Sequence, residues 1–81
     1  MGGHGLVSEK DLIDRIVQHL PSANVKAYDM TGGGDHWQVR IEAQEFSGKT
    51  LIEQHQMIYK ALGEWMDKDI HALSLDTRAV D

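Results

Sequence analysis

The 81-residue sequence contains no cysteine and only one proline. Without cysteine the chain cannot form a disulfide, an all-thiolate metal site or a cysteine nucleophile. No apolar run approaches the roughly 20 residues that span a bilayer. The first five residues also lack the apolar segment of a secretory signal. These absences favour a cytoplasmic protein that does not bind membranes.

Positive charge is also scarce. Eight Lys and Arg stand against thirteen Asp and Glu, which gives a formal net charge of −5, and no two basic residues are adjacent. Binding to a phosphate backbone needs clustered positive charge, so nucleic-acid binding is disfavoured. A chain of this length forms one small domain with no room for a deep cleft. We therefore expect an accessory protein that depends on a partner, with no enzyme activity and no small-molecule substrate of its own.

Apolar periodicity and turn residues predict an α/β (α+β) domain with the order α-β-β-α-α-β. The predicted elements are a helix over 9–20, strands over 24–30 and 37–43, a long helix after 46–50, a short helix after Gly63 and a strand over 70–76. In the long helix we expect an apolar stripe of Leu51, Ile52, His55, Ile58, Tyr59, Leu62 and Trp65 or Met66. We expect residues 1–7 to form a flexible N-terminus, residues 8–77 the domain, and residues 78–81 a C-terminal tail.

The glycine-rich turn Gly32-Gly33-Gly34-Asp35 predicts that the first two strands form an antiparallel hairpin. The helical crossover predicts that the third strand lies parallel to the second, so that the two strands begin at the same end of a three-stranded mixed sheet. His36 and His71 stand at these two beginnings. Because neighbouring strands are about 4.8 Å apart, both histidines are predicted to face one small volume.

The pair His36 and His71 has two interpretations at this point. Imidazole is a common ligand for zinc, iron and copper, but two ligands are too few for a closed metal site. Alternatively, His36 is an ordinary polar residue at a hairpin edge and His71 is hydrogen-bonded to backbone. Nearby histidine pairs without a metal are common, so spacing alone favours the second interpretation.

Two further features have mainly structural interpretations. His55 lies on the apolar stripe and is predicted to be half-buried, bonded to a neighbouring carbonyl. Gly48-Lys49-Thr50 matches the end of a phosphate-binding loop, but no glycine lies five residues before Gly48, where such a loop has its first glycine. We interpret this segment as the start of a helix.

Three segments together resemble the BolA family (BolA/IbaG-like proteins). They are Gly34-Asp35-His36-Trp37, the stretch from Phe46-Ser47-Gly48-Lys49-Thr50 through His55-Gln56-Met57-Ile58-Tyr59, and Ile70-His71-Ala72-Leu73-Ser74-Leu75. The similarity extends from the first helix to about Thr77. It implies a fold similar to a type II KH domain, with the helices on one face of the sheet.

The resemblance also implies a cofactor and a partner. BolA-like proteins pair with monothiol glutaredoxins of the CGFS type through a bridging [2Fe-2S] cluster, in iron–sulfur trafficking or iron regulation. A cysteine of the glutaredoxin and a glutathione thiolate hold one side of the cluster. The BolA-like chain supplies the histidine of its I-H-A-L motif, here His71, and a hairpin-loop residue, here His36. This places the sequence in the histidine-type branch, with no cofactor in the isolated chain and no catalytic residue.

The family and its KH-like fold also suggest an alternative, a nucleic-acid-binding transcriptional regulator. Many members have Arg-His-Arg where this chain has Gln54-His55-Gln56. The Gly-x-x-Gly of a type II KH domain is absent as well. Both departures, with the negative charge, weigh against this alternative.

Overall fold

A computed structural model describes residues 7–80 of the chain, apart from the side chain of Asp67. The predicted order of elements is confirmed, with a 3₁₀ turn after the second strand. The elements are α1 (Glu9–His19), β1 (Asn24–Asp29), β2 (His36–Ala43), the 3₁₀ turn (Gln44–Phe46), α2 (Leu51–Leu62), α3 (Trp65–Lys68) and β3 (Ala72–Ala79).

Both longer helices begin at a capping box. The Ser8 hydroxyl accepts the backbone N–H of Asp11, whose carboxylate accepts the N–H of Ser8, and α1 follows. Thr50 and Glu53 form the same reciprocal pair at the start of α2. These bonds satisfy backbone donors that have no partner inside a helix, which fixes where each helix begins.

The sheet has the strand order β1-β2-β3, as predicted. β1 pairs with β2 in antiparallel register and β2 pairs with β3 in parallel register. His36 lies level with Ala72, and Ala43 lies level with Ala79. The beginnings of β2 and β3 therefore share one edge of the sheet.

The core lies between one face of the sheet and the helices. Strict alternation along β2 buries Trp37, Val39, Ile41 and Ala43, while the intervening residues point to the open face. The helices cover the buried face, and the largest fully buried side chains are Phe46, Leu12, Ile16, Ile41, Ile58, Leu62 and Val39. The open face of the sheet is polar and carries the ion pairs Arg40–Asp76 and Arg78–Glu42.

The predicted apolar stripe of α2 is partly wrong. Leu51, Ile52 and Tyr59 are exposed at 62%, 71% and 42%. The buried positions are Gln54, Ile58, Ala61 and Leu62. Apolar residues fall on two overlapping helical faces, and only one of them packs on the sheet. Gln54 tolerates burial partly because its amide nitrogen donates to the carbonyl of Lys49 at 3.0 Å.

The last strand also begins later than predicted, at Ala72 rather than at residue 70. The backbone N–H of Ile70 donates to the carbonyl of Trp65 at 2.8 Å and thereby continues the end of α3. Ile70 is buried, but it belongs to the connection and not to the strand. β3 then runs beside the whole of β2 and ends at Ala79.

The predicted flexible N-terminus lies outside the described residues except at Val7. Val7 is 5% exposed and packs in the core. Among residues 7–80, the structure contains no helix with the length and apolar character needed to cross a membrane.

Candidate functional site

Asp29 organises the hairpin loop that leads to the candidate site. Its two carboxylate oxygens accept the backbone N–H groups of Gly32 and Gly34, each at 2.9 Å. Gly32 and Gly34 have φ angles of 80° and 78°, which favour glycine because it lacks a Cβ atom. The indole N–H of Trp37 donates to the carbonyl of Gly34 at 2.9 Å and ties the loop to the core. The glycine-rich turn is thus held by several hydrogen bonds.

The structure brings His36 and His71 together at one edge of the sheet. His36 is the first residue of β2, and His71 directly precedes β3. The backbone carbonyl of Asp35 accepts the N–H groups of His71 and Ala72, at 2.7 and 3.2 Å. The two imidazole centroids lie 6.1 Å apart with the ring planes at 87°. The predicted proximity of the two rings is therefore confirmed.

The carboxylate of Asp35 lies between the two rings. Its Oδ1 is 3.0 Å from Nδ1 of His36, and its Oδ2 is 3.4 Å from Nδ1 of His71. The hydrogen bond from His36 is the largest of the effects that hold the pKa of Asp35 below that of an ordinary aspartate. An ionised carboxylate only accepts, so in the neutral ring of His36 the proton is on Nδ1 and the lone pair is on Nε2. The second contact, at 3.4 Å, is longer than an ordinary hydrogen bond and orients His71 less firmly.

Sequence reasoning did not select Asp35. Its position between a glycine run and a candidate ligand was a weak signal, because carboxylates are frequent in turns for structural reasons. Its contact with His71 depends on the orientation of two side chains where β2 and β3 begin, and residue spacing does not predict that orientation.

The imidazoles of His36 and His71 could serve as nitrogen ligands of a metal centre whose other ligands come from a second molecule. The side chains of His36 and His71 are 43% and 66% exposed, so both rings are accessible from outside. Two rings bound at about 2.1 Å to one tetrahedral ion have centroids about 5 Å apart. The observed 6.1 Å is larger, by an amount that side-chain rotation can close. Within residues 7–80, no group of three or more histidine or carboxylate side chains could hold a metal ion. Further ligands would have to come from a partner.

His55 and the segment around Thr50 lie on α2 and its N-terminal cap. The ring of His55 is half-buried as predicted, but the expected bond to a carbonyl is not found among the hydrogen bonds of residues 7–80. The hydroxyl of Thr50 accepts the N–H of Glu53 at 3.1 Å. The interpretation of Gly48-Lys49-Thr50 as a helix start is thus confirmed.

Known proteins share both the sequence pattern and the fold. The family described as BolA-like protein matches residues 12–81. Protein BOLA2 of Arabidopsis thaliana is 34% identical over 71 residues, which cover 86% of this chain and 75% of that protein. SufE-like protein 1 of the same plant, described as chloroplastic/mitochondrial, is 33% identical over 67 residues, which cover 83% of this chain and 18% of that protein. The solved structure of a bolA protein homologue from Coxiella burnetii matches with a TM-score of 0.75 and 35% identity over 90% of this chain and 91% of the other.

Proposed function

Because the chain belongs to the BolA-like protein family, we propose that it supplies His36 and His71 to a [2Fe-2S] cluster shared with a partner protein. The proposed partner is a monothiol glutaredoxin of the CGFS type, which contributes a cysteine, with a glutathione thiolate as the fourth ligand. The proposed role is iron–sulfur trafficking or iron regulation in the cytoplasm.

The observation that carries this proposal is the convergence of two exposed imidazoles in a chain without cysteine. The rings lie 6.1 Å apart at one sheet edge. Imidazole is a borderline nitrogen donor that suits iron. Two such donors fill half of the four positions that the two irons of a cluster leave for protein or thiol ligands. A cluster shared between two molecules requires such an incomplete set of ligands from each of them.

The relative named SufE-like protein 1 supports a role in association with other proteins. The region similar to this chain covers only 18% of it, so the same kind of domain occurs there beside a much longer stretch of sequence. In that relative the domain lies beside other sequence of the same chain, and in the proposed function this chain lies beside a separate glutaredoxin. A small domain that acts next to a second protein fits both cases.

The nucleic-acid alternative gains no support from the described surface. Basic side chains are paired with carboxylates in the ion pairs Lys10–Asp14, Arg15–Glu64, Arg40–Asp76 and Arg78–Glu42. A cation already paired with a carboxylate attracts phosphate less than a free one. The formal net charge of −5 also disfavours binding to a phosphate backbone.

The test mixes the chain with a monothiol glutaredoxin and glutathione, assembles the cluster without oxygen, and records visible absorption and circular dichroism. We expect a spectrum that differs from that of the glutaredoxin alone and that His71→Ala largely abolishes. His19→Ala is the matched control, because His19 is an exposed histidine whose Nδ1 donates to the carbonyl of Arg15 in α1. If His71→Ala retains the cluster as well as wild type, this mechanism is wrong.

A further inference from the structure

We propose that Asp35 is the positioning residue that prepares both histidines to bind iron through Nε2, an inference that rests on the proposed function. Asp35 contacts both the His36 side and the His71 side of the site. Among residues 7–80, it is the only residue that does so with its side chain and its backbone. Its carboxylate contacts the two rings, and its carbonyl holds the start of β3 beside β2.

The side-chain contacts set the orientation of the rings. Both rings turn Nδ1 toward the same carboxylate, at 3.0 Å for His36 and 3.4 Å for His71. Since Nε2 lies on the far edge of an imidazole, Nε2 of each ring points away from Asp35, and in His36 the hydrogen bond leaves the lone pair on that nitrogen. Histidines that bind metals commonly donate their other N–H to a carboxylate, which fixes the tautomer and makes the binding nitrogen more basic.

The backbone contacts set the spacing between the histidines. The carbonyl of Asp35 accepts the N–H of His71 at 2.7 Å. The main chain of His71 is therefore hydrogen-bonded to the residue that directly precedes His36. Thr31 supports the carboxylate, because its hydroxyl donates to Oδ1 of Asp35 at 3.3 Å. The site is thus arranged in the free chain, which lowers the entropy lost when the ligands become fixed.

This role can be measured without a cluster or a partner. Long-range ¹H–¹⁵N spectra at pH 8, where an ordinary histidine is neutral, report which ring nitrogen carries the proton. We expect wild-type His36 to carry it on Nδ1. In Asp35→Ala it should move largely to Nε2, the tautomer that a neutral histidine favours in water.

The matched control is Asp76→Ala. Asp76 is an exposed carboxylate on β3 that pairs with Arg40, four residues beyond Ala72. This control should leave the tautomer of His36 unchanged. If Asp35→Ala fails to fold, Asp35→Leu, which keeps a side chain of similar size but has no hydrogen-bond acceptor, is interpreted in the same way. A wild-type His36 that carries its proton on Nε2 would overturn the proposal without any variant.

The second measurement uses the loaded complex with the glutaredoxin. Loss of a carboxylate that supports a metal ligand costs about 10–100-fold in metal affinity, and we expect a reduction of this size for Asp35→Ala but not for Asp76→Ala. Equal cluster retention by Asp35→Ala and wild type would overturn the proposal. If His36 shows the expected tautomer but the wild-type mixture forms no cluster, the proposed function fails while the orientation of His36 by Asp35 stands.

Discussion

His71 precedes β3 with 66% of its side chain exposed, and His36 opens β2 with 43% exposed. Neither ring belongs to the buried core. We therefore expect His71→Ala and His36→Ala to change the free energy of unfolding by less than about 0.5 kcal/mol, the usual range for surface substitutions. Thermal or urea unfolding of each variant measures this. A much larger loss would mean that the rings hold the sheet edge together, and cluster loss in these variants could then no longer be assigned to ligation.

We expect His36→Ala and His71→Ala to cause comparable losses of cluster. A ligand in a mobile loop would lose entropy when it becomes fixed, and its removal would then have a smaller effect. The structure instead holds His36 in β2 and bonds its ring to Asp35. Cluster absorbance of each variant in the glutaredoxin mixture measures the two losses.

Glu45 gives the molecule a predictable response to acid. Its carboxylate accepts hydrogen bonds from the hydroxyl and the backbone N–H of Ser22, and the hydroxyl bond is the main cause that lowers its pKa below 4.5. Because the folded pKa is lower than the unfolded one, this contribution to stability is complete above the unfolded pKa and disappears as the pH falls through the folded pKa. Unfolding at pH 7 and at pH 3 should therefore show a smaller pH dependence in Glu45→Gln than in wild type. An equal dependence would show that these hydrogen bonds do not contribute.

At the scale of elements, α2 offers a matched pair of isoleucines on opposite faces. Ile58 is fully buried in the core, whereas Ile52 is 71% exposed. Ile58→Ala should cost about 2–5 kcal/mol, because it removes buried apolar contacts and leaves a cavity. Ile52→Ala should cost less than about 0.5 kcal/mol. Urea unfolding compares the two, and similar losses would contradict the placement of α2.

Much of the fold follows from local patterns. The strict alternation along β2 identifies its buried face, and the glycine turn and the helical crossover predict the order β1-β2-β3. The face of α2 could not be predicted in the same way, because Leu51 and Ile52 are as apolar as the residues that the sheet covers. The start of β3 was also ambiguous. Ile70 is apolar and buried, yet its backbone bonds to the end of α3.

The candidate site shows the same limit. The parallel crossover was enough to predict that His36 and His71 meet, since it places the beginnings of two strands side by side. The role of Asp35 could not be predicted, because its carboxylate reaches both rings only once the segment with Asp35 and His36 lies beside the segment with His71. Residue spacing alone does not predict side-chain contacts that depend on tertiary structure.

At the scale of the whole molecule, the account predicts that the chain cannot hold a cluster alone. Within residues 7–80 no group of three or more histidine or carboxylate side chains could hold a metal ion, and the two proposed imidazole ligands are too few. Reconstitution of the free chain with iron and sulfide should give no absorption that survives desalting. An equimolar mixture with the glutaredoxin and glutathione should retain it. A stable cluster on the free chain would mean that ligands outside the described site take part.

Pulsed electron paramagnetic resonance of the reduced shared cluster shows whether both His36 and His71 bind iron, as we propose. The chain is labelled with ¹⁵N-histidine, while the glutaredoxin and glutathione are left unlabelled. We predict two strongly coupled ¹⁵N nuclei in the wild-type complex, and one in any His36→Ala or His71→Ala complex that retains a cluster. One strongly coupled ¹⁵N nucleus or none in the wild-type complex would contradict this claim, because at most one histidine of this chain would then be bound to iron.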